Sequence, residues 1–517
     1  NEENTVKGIS HIENISLINF EGSGMVGVPG FSKRFFGALS QGGINVIMIT
    51  QASSEFSICI AVKESDAKNA KNLIDKEFEY EISQKKINHS LIESSLSNIA
   101  IVGDNMKSKQ GVSGKLFSTL GNNNINIRAI AQGASERNIS IIIDEKDNTK
   151  ALNSLHEAFF ENNCKNVHLF ITGVGNVGSN LIKQIHDQKK SLEENLSLKL
   201  KVMGLSNSKK MILSETEIDL NNWKSKLDSS EIKSDNDKFL KFSIKQNLRN
   251  SLFIDNTANS DITINYSSYL KNGIGIVTCN KIACSDKLEK YLELKSLSKN
   301  HNAPFLYETN VGAALPIIDT LNNLINSGDK ITKIEAVLSG TLNYIFNNFN
   351  KENSFYEVVK KAVELGYTEP DPKIDLCGID VSRKILILAR ESGKEIEISD
   401  VQNKSFLPNE SVKTKSNEEF LNSLKNNNDH FDKILNKALK NKSRLKYVAS
   451  LIDGQANVGL MEVSAEHPFY NLEGSDNIIV FYTDRYKDSP LVVKGAGAGG
   501  EFTASGVFAD IIKASKK

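Results

Sequence analysis

The sequence lacks an excess of charge, paired cysteine motifs and long apolar runs. Its 517 residues include 63 basic and 63 acidic side chains, so no strong field favours nucleic acid or a membrane surface. The five cysteines form no CxxC motif and no histidine cluster accompanies them, which argues against a disulfide framework or a zinc site. Neither a signal region nor a membrane-spanning run is found. We therefore expect a cytoplasmic protein with free thiols.

The length predicts two to four domains, each with ample core. Patterned sequence starts soon after Asn1, so we expect the chain to be part of a longer protein. Residues 11–165 contain an internal repeat with copies at Ile15–Val62 and Ile99–Asp144. Each copy has a strand, a glycine loop, a helix, a GGIN or NNIN turn, two strands and a closing helix, the second ending near Asn162. This predicts two βαββαβ domains, at 11–90 and 91–165, packed side by side with a small-ligand cleft between them.

A different pattern begins with the strand Val167–Ile171. Gly173, Gly175 and Gly178 follow it and open a helical stretch that runs to about Asp187. This is G-x-G-x-x-G in its strand–turn–helix context, which predicts a dinucleotide site with the pyrophosphate at the helix N-terminus.

The next predicted strand, Leu198–Leu205, is followed by polar and basic residues. A ribose 2′-hydroxyl usually binds an Asp or Glu there, and none is present. Asn207 and Ser208, with Lys209 and Lys210, suit a 2′-phosphate, so the sequence favours NADP over NAD. Simple solvation of the two lysines is the alternative.

Two later predicted strands end in polar residues, namely Asp255, Asn256 and Thr257 after the first, and Asn280 and Lys281 after the second. An open parallel sheet binds its ligand outside the carboxyl ends of its strands. Lys281 is therefore either a solvated surface residue or a cation over the reacting centre.

Glu308 lies in a glycine turn ahead of a helix that starts near Pro316. With the carbonyls of this turn it can ligate a hard monovalent cation. The alternative is that Glu308 caps the helix.

The segment Gly366–Arg390 holds an acidic cluster followed by a buried helix, predicted from Ile379 to Arg390. Asp380 and Lys384 are four residues apart and so share one helix face. Such a cluster can bind an ammonium group and hold a proton donor beside it, whereas the alternative is a helix cap and a surface ion pair. Its acidic members are Glu369, Asp371, Asp375 and Asp380.

Three further predicted strands, within Leu445–Tyr482, precede a glycine loop at Gly495–Gly500 and a last helix. This loop is a second place where backbone approaches a cofactor, so the chain is expected to return to the dinucleotide-binding part.

The motifs TGVGNVG, TCNKIA, ETNVGAALP, SGTLNYI, GYTEPDPKIDLCGIDVSRK and KGAGAGG…TASGVFAD together resemble the homoserine dehydrogenase family, in that family's order. The repeat, with its QASSE and QGASE segments, resembles the ACT pair of aspartate kinases. The resemblance implies tandem ACT domains, a Rossmann-type NAD(P)-binding domain at 166–310 to which 485–517 returns, and an α+β catalytic and dimerisation domain at 311–484. The kinase domain that precedes the ACT pair in bifunctional aspartokinase–homoserine dehydrogenases is absent from this sequence.

The family's roles carry over to matching positions. Lys384, Lys281 and Asp380 are implied as catalytic, and Glu369, Asp375 and Asp380 as substrate-binding. The implied cofactor residues are Gly173, Gly175, Asn176, Val177, Gly178, Thr257, Lys281 and Gly499. Glu308 and the carbonyls of Val311, Ala313 and Leu315 resemble a sodium site. Gln51 and Gln132 are implied to bind an effector, threonine, although they can instead satisfy edge-strand backbone groups.

The resemblance implies NAD(P)H-dependent reduction of L-aspartate 4-semialdehyde to L-homoserine by a homodimer or homotetramer. Two alternatives stay open at this point. One is an amino-acid-sensing module with an inert dehydrogenase half, and the other is a Rossmann oxidoreductase of another small aldehyde or keto acid.

Overall fold

The computed structural model describes residues 6–51, 56–104, 106, 109–133, 137–160 and 164–516. Residues 1–166, with 196–198 and 247–249, form an N-terminal unit, and the remaining residues form a C-terminal unit. Each unit is described separately below.

The described part of the N-terminal unit holds one six-stranded sheet in the order β2-β3-β1-β4-β6-β5. The strands are β1 (Val6–Glu21), β2 (Met48–Gln51), β3 (Ser57–Lys63), β4 (Leu91–Gly103), β5 (Ile127–Gln132) and β6 (Asn138–Asp144). The helices are α1 (Phe31–Gln41), α2 (Ala67–Glu77), α3 (Glu79–Ser83), α4 (Val112–Asn122) and α5 (Asn148–Phe160). The predicted end of the last helix, at 161–162, lies outside the described residues.

Two long strands join the two copies of the repeat into this one sheet. The second half of β1 pairs with β3 (Ile15 opposite Lys63) and with the first half of β4. The first half of β1 pairs instead with the second half of β4 (His11 opposite Ile99). Each copy thus obtains its fourth strand from half of a long strand, and the copies lie side by side. Separate apolar cores pack on them, around Phe20 in the first copy and around Ile141 in the second.

The C-terminal unit begins with a sheet in the order β12-β11-β10-β7-β8-β9. If β7 is counted as strand 1 and β12 as strand 6, the sheet read from β9 to β12 has the order 3-2-1-4-5-6. This is the strand order of a dinucleotide-binding fold, and its switch point lies between β7 and β10. Strands β7, β10, β11 and β12 are parallel, and β9 is antiparallel to β8. The elements are β7 (Lys165–Thr172), α6 (Asn176–Leu196), β8 (Leu198–Ser206), β9 (Met211–Leu213), α7 (Trp223–Ser229), α8 (Asn236–Gln246), β10 (Ser251–Asp255), α9 (Ser260–Thr263), α10 (Tyr266–Lys271), β11 (Gly275–Thr278), α11 (Ile282–Ser285), α12 (Leu288–Asn300) and β12 (Phe305–Leu306).

A second sheet of this unit has the order β14-β16-β15-β13-β17-β18. Its neighbours are antiparallel except β14 and β16. The elements are α13 (Ile318–Asn326), β13 (Ile331–Val337), α14 (Gly340–Asn348), α15 (Phe355–Glu364), α16 (Pro372–Leu376), α17 (Ile379–Glu391), β14 (Gln402–Lys404), α18 (Asn409–Val412), α19 (Asn417–Asn426), α20 (Asn428–Lys440), β15 (Arg444–Ile452), β16 (Gln455–Val463), β17 (Asp476–Thr483), β18 (Leu491–Ala496) and α21 (Gly500–Ser515).

The predicted fold class is confirmed: an ACT-type pair, a Rossmann-type sheet and an α+β layer follow one another. Among the described residues, no helix is both long and apolar enough to cross a membrane.

Candidate active site and cofactor crevice

The start of α17 is fixed by a glycine. Gly378 precedes the helix with φ 71°, a left-handed conformation that favours glycine. A Cβ at this position would lie 1.9 Å from the Tyr447 hydroxyl oxygen, so no larger residue fits without movement. Asp380 stands in the first turn of α17 and Lys384 one turn later, as the spacing predicts.

Asp380 binds two lysines. Its Oδ2 lies 2.8 Å from Lys384 Nζ and its Oδ1 lies 3.5 Å from Lys281 Nζ. Burial by itself would raise the pKa of Asp380, but the two ammonium groups outweigh burial and hold that pKa well below its usual range. Asp380 is therefore an anion over the whole physiological pH range.

The Lys384 ammonium is buried and held from two sides. Besides the bond to Asp380, Nζ donates to the main-chain carbonyl of Leu338 at 2.6 Å. Burial lowers the pKa of Lys384, and the nearby charge of Lys281 lowers it further, while Asp380 opposes both. A buried ammonium with a lowered pKa suits a proton donor at neutral pH.

Glu369 and Asp375 form the acidic part of the site. The backbone N–H of Glu369 donates to Asp375 Oδ2 at 2.8 Å. Burial raises the pKa of Asp375, and the negative charges of Glu369 and Asp380 add to this rise. Three carboxylates that repel one another in this way favour a ligand with an ammonium group. Asp371 has the plainer role, because it caps α16 by accepting from Lys373 N at 3.0 Å.

Thr341 is a site residue that was not predicted from the sequence. Its hydroxyl lies 2.5 Å from the Tyr367 carbonyl and 3.3 Å from Asp375 Oδ1. Thr341 stands in the first turn of α14, which begins at Gly340 and is capped by Ser339. The SGT sequence is a recognisable helix start, but no local pattern shows that this start meets the acidic cluster.

The dinucleotide fingerprint adopts the predicted geometry. Gly173 has φ 84°, and a Cβ there would lie 2.6 Å from the Thr257 side chain. A Cβ on Gly178 would lie 2.0 Å from the Gly173 carbonyl oxygen, so this glycine lets α6 approach the turn. Around Gly175, by contrast, no atom of the described chain outside its immediate sequence neighbours lies within 4 Å of where a Cβ would be. That open space is where a pyrophosphate can approach the backbone.

The second glycine loop meets the fingerprint. A Cβ on Gly500, the first residue of α21, would lie 2.3 Å from Asn176 Oδ1 at the start of α6. Gly499 stands immediately before it, and the Gln184 side chain of α6 donates to Ser505 Oγ at 3.0 Å. Two helix N-termini therefore converge here, and both favour an anion. Val177 is half-buried beside them.

The strand ends opposite the fingerprint are tied together by a buried carboxylate. Asp255 accepts from Thr257 N at 2.8 Å, from the Tyr266 hydroxyl at 2.7 Å and from Asn280 Nδ2 at 3.1 Å. This bonding makes Asp255 and Asn280 scaffold residues. The side-chain amide of neighbouring Asn256 is buried, and its Nδ2 and Oδ1 have no hydrogen-bond partner in the described part of the chain. An orphaned amide at the switch point fits a cofactor that would supply its partners.

The Asn207 side chain anchors the turn after β8 from within. Asn207 Oδ1 accepts from the backbone N–H groups of Lys209 and Lys210, both at 2.7 Å. Lys210 Nζ donates a hydrogen bond to the main-chain carbonyl of Asp228 at 2.5 Å. Ser208 and Lys209 stay exposed, so these two side chains are the ones free to meet a ligand.

For Glu308 the structure shows helix capping, the alternative to a cation ligand. Its carboxylate accepts from the backbone N–H groups of Ile317 and Ile318, both at 2.6 Å, and of Asp319 at 2.8 Å. Burial, together with the nearby charge of Asp319, raises the pKa of Glu308 to about 8. Val311, Ala313 and Leu315 follow in the same turn, where the Leu315 carbonyl accepts from Ile317 N at 2.9 Å. Within the described residues, no group of three or more His, Cys, Asp or Glu side chains forms a metal site.

Two small cavities occupy equivalent positions of the ACT pair. The first, of about 150 Å³, is lined by Met25, Val28, Gly30, Phe31, Ser32, Gln51 and Ile58. The second, of about 170 Å³, is lined by Met106, Lys109, Gln110, Gly111, Val112, Ser113, Gly114, Gln132 and Ile139. Both predicted glutamines therefore line a cavity beside a helix N-terminus. Residues 52–55 of the first motif and 134–136 of the second lie outside the described residues.

A dinucleotide fingerprint near a lysine–carboxylate site, on a chain with an ACT-type pair, is the arrangement of an NAD(P)-binding enzyme with ACT domains. Family models match three regions of the chain: homoserine dehydrogenase at 316–512, the homoserine dehydrogenase NAD binding domain at 173–308, and an ACT domain at 18–78 and again at 99–159. The chain belongs to the homoserine dehydrogenase family.

Individual relatives support this assignment. A homoserine dehydrogenase of Schizosaccharomyces pombe is 38% identical over 358 residues, which cover 67% of this chain and 95% of that protein. The chloroplastic bifunctional aspartokinase/homoserine dehydrogenase 2 of Arabidopsis thaliana is 42% identical over 512 residues, which cover 98% of this chain but 56% of that protein. This chain thus spans a little over half the length of that plant relative. A solved hyperthermophilic archaeal homoserine dehydrogenase in complex with NADPH has a TM-score of 0.53 and 25% identity, and covers 68% of this chain and 98% of its own.

Replacement by alanine is predicted to weaken cofactor binding at Gly175, where there is open space, and to lower stability at Gly178, where the packing is close. Gly175→Ala is expected to leave the free energy of unfolding unchanged. It is expected to raise the Kd for NADPH at least ~10-fold, which corresponds to ~1.4 kcal/mol of binding free energy. Gly178→Ala is expected to lower the free energy of unfolding by about 2 kcal/mol, because its Cβ overlaps a carbonyl oxygen. NADPH fluorescence titration and chemical denaturation measure the two effects. Unaltered NADPH binding by Gly175→Ala would show that the pyrophosphate lies elsewhere.

Proposed function

We propose that this chain catalyses the NAD(P)H-dependent reduction of L-aspartate 4-semialdehyde to L-homoserine, and the reverse oxidation. The observation that carries the proposal is the Asp380 carboxylate, which holds Lys384 and Lys281 together beside the acidic pair Glu369 and Asp375. An amino-acid aldehyde has the two matching features, an ammonium group and a carbonyl oxygen.

In this proposal the acidic side of the site binds the substrate ammonium. The backbone N–H of Glu369 donates to the Asp375 carboxylate, and the Glu369 charge acts on that carboxylate, so a cation bound here interacts with both charges. Thr341 keeps Asp375 in place through Oδ1. An ammonium group bound here relieves the repulsion that raises the Asp375 pKa.

The lysine side of the site acts on the carbonyl oxygen. A bound nicotinamide cofactor supplies the hydride, and negative charge then develops on that oxygen. The Lys384 ammonium stabilises this charge more strongly in the transition state than in the ground state, and Nζ donates the proton. Asp380 favours the charged lysine before the transfer, and Lys281 adds positive charge nearby.

We infer a preference for NADP from the turn after β8. No acidic residue stands there to bind a ribose 2′-hydroxyl, whereas exposed Ser208 and Lys209 suit a 2′-phosphate. The Asn207 side chain supports the turn from within. That the similar archaeal structure contains NADPH agrees with this preference.

We also propose that threonine binds at Gln51 and Gln132 and regulates the reaction. Both cavities are small, have a polar glutamine on one side and lie at a helix N-terminus, which suits a small amino acid with its carboxylate at the helix. A homodimer or homotetramer, and sodium at Glu308 with the carbonyls of Val311, Ala313 and Leu315, stay predictions from the family resemblance.

Removal of the Lys384 ammonium should abolish most of the turnover. We expect Lys384→Met to lower kcat for aldehyde-dependent NADPH oxidation by on the order of 100-fold or more, because it removes both the cation and the proton donor. The matched control is Arg383→Met, an exposed position on the same helix, which should keep kcat. Near wild-type kcat in Lys384→Met would contradict the mechanism. Threonine binding without any turnover in the unaltered chain would instead favour a sensing module with an inert dehydrogenase half.

The effector proposal has its own test. Titration of threonine against NADPH oxidation should show inhibition in the unaltered chain, and Gln132→Ala and Gln51→Ala should each raise the half-inhibitory concentration at least ~10-fold, or ~1.4 kcal/mol of binding free energy. Gln84→Ala changes an exposed glutamine of the same unit and should leave the curve unchanged. Identical curves for all four proteins would remove threonine from these cavities.

A further inference from the structure

A second side chain shares the carbonyl that holds the catalytic lysine. The Leu338 carbonyl accepts from Lys384 Nζ at 2.6 Å and from Asn477 Nδ2 at 3.4 Å. Asn477 stands near the start of β17 and is completely buried. Its amide is therefore separated from the Lys384 ammonium by one carbonyl oxygen.

The other side of the Asn477 amide packs on the second glycine loop. A Cβ on Gly497 would lie 1.9 Å from Asn477 Cγ and 2.0 Å from Nδ2. This loop continues through Gly499 into α21, whose first residue contacts Asn176 of the dinucleotide fingerprint. Asn477 thus bridges the lysine's carbonyl acceptor and the loop that borders the cofactor crevice.

The hydrogen bonding of Asn477 is poor for a residue that serves stability alone. Its Oδ1 is buried and accepts no hydrogen bond from the described residues, and the contact to Leu338 is long. Burial of a half-satisfied amide costs folding free energy, whereas an apolar side chain of similar size at the same place would not. A polar group kept at such a cost indicates a functional role.

We propose that Asn477 is a positioning residue for the reaction: it fixes the Leu338 carbonyl, and through it the Lys384 ammonium, relative to the glycine loop at the cofactor. This rests on the proposed function of Lys384. Asn477 touches neither Glu369 nor Asp375 through any hydrogen bond of the described chain, so it acts on the chemical step and not on binding of the substrate ammonium.

Replacement of Asn477 by an apolar residue of similar size tests the role. Asn477→Leu is expected to lower kcat about 10-fold, with KM for the aldehyde and the Tm unchanged. Asn98→Leu is the matched control, because Asn98 is also buried with an unpartnered Oδ1, but in the N-terminal sheet. It should keep kcat. Wild-type kcat in Asn477→Leu, or a loss of kcat that only parallels a fall in Tm, would overturn the proposal.

A double substitution covers the case in which leucine disturbs the fold. Gly497→Ala pushes on the Asn477 amide from the loop side, so it should reproduce the loss of kcat. In an Asn477→Gly background the three side-chain atoms that the added methyl group would overlap (Cβ, Cγ and Nδ2) are gone, so Gly497→Ala should cause no further loss. Fully additive losses would overturn the proposed contact.

A readout without turnover separates this proposal from the proposed reaction. Acetic anhydride labelling followed by peptide mass spectrometry should modify Lys384 at least about threefold faster in Asn477→Leu than in the unaltered chain, because the lysine is held less firmly. Equal labelling rates would overturn the positioning role even if the unaltered chain reduces no aldehyde. Failure of aldehyde reduction together with faster labelling would count against the proposed function alone.

Discussion

The ion-pair triplet of Asp380 with Lys384 and Lys281 is the interaction on which the rest of the C-terminal unit depends. One carboxylate binds two ammonium groups, one from its own helix and one from the carboxyl end of β11 in the Rossmann-type sheet. The triplet therefore joins helix α17 to the Rossmann-type sheet at the residues that are proposed to act on the substrate. Without the carboxylate, two cations would face each other in a partly buried place at a high electrostatic cost.

The surrounding fold supplies fixed backbone groups to this triplet. Gly378 lets α17 begin against Tyr447, and this start sets the position of Asp380. The carbonyl of Leu338, the residue after β13, accepts a hydrogen bond from Lys384 Nζ. On the other side, the glycine fingerprint leaves open space at Gly175, and the second glycine loop packs closely on the fingerprint, so that two helix N-termini converge there. In the proposed reaction, substrate recognition and hydride delivery thus rely on main-chain geometry as much as on side chains, and glycine is needed where backbone approaches backbone.

Local patterns predicted a large part of this arrangement. Helix α17 was predicted over Ile379–Arg390 and runs to Glu391, because apolar periodicity and a glycine at its start are short-range signals. The same holds for the fingerprint at Gly173–Gly178, where strand, turn and helix are adjacent in sequence. Asp380 and Lys384 could be paired because four residues make about one helical turn.

Long-range features could not be predicted in this way. The contact of Lys281 with Asp380 and the approach of α21 to Asn176 bring distant segments together, and residue spacing carries no signal for them. The exchange of half-strands between β1 and β4 depends on backbone pairing, which side-chain type hardly specifies. Glu308 was open to two interpretations because only the structure shows the three N–H groups at its carboxylate.

The pH dependence of kcat for aldehyde reduction, in the unaltered chain and in Asp380→Asn, tests the ion-pair triplet most directly. In the proposed reaction the charged Lys384 donates the proton, so kcat should fall as pH rises through its lowered pKa. Lys281 lowers this pKa, and Asp380 and Asp375 raise it. Asp380→Asn removes the main opposing anion, so the alkaline limb should move to lower pH. An alkaline limb at the same pH in both proteins would contradict the account.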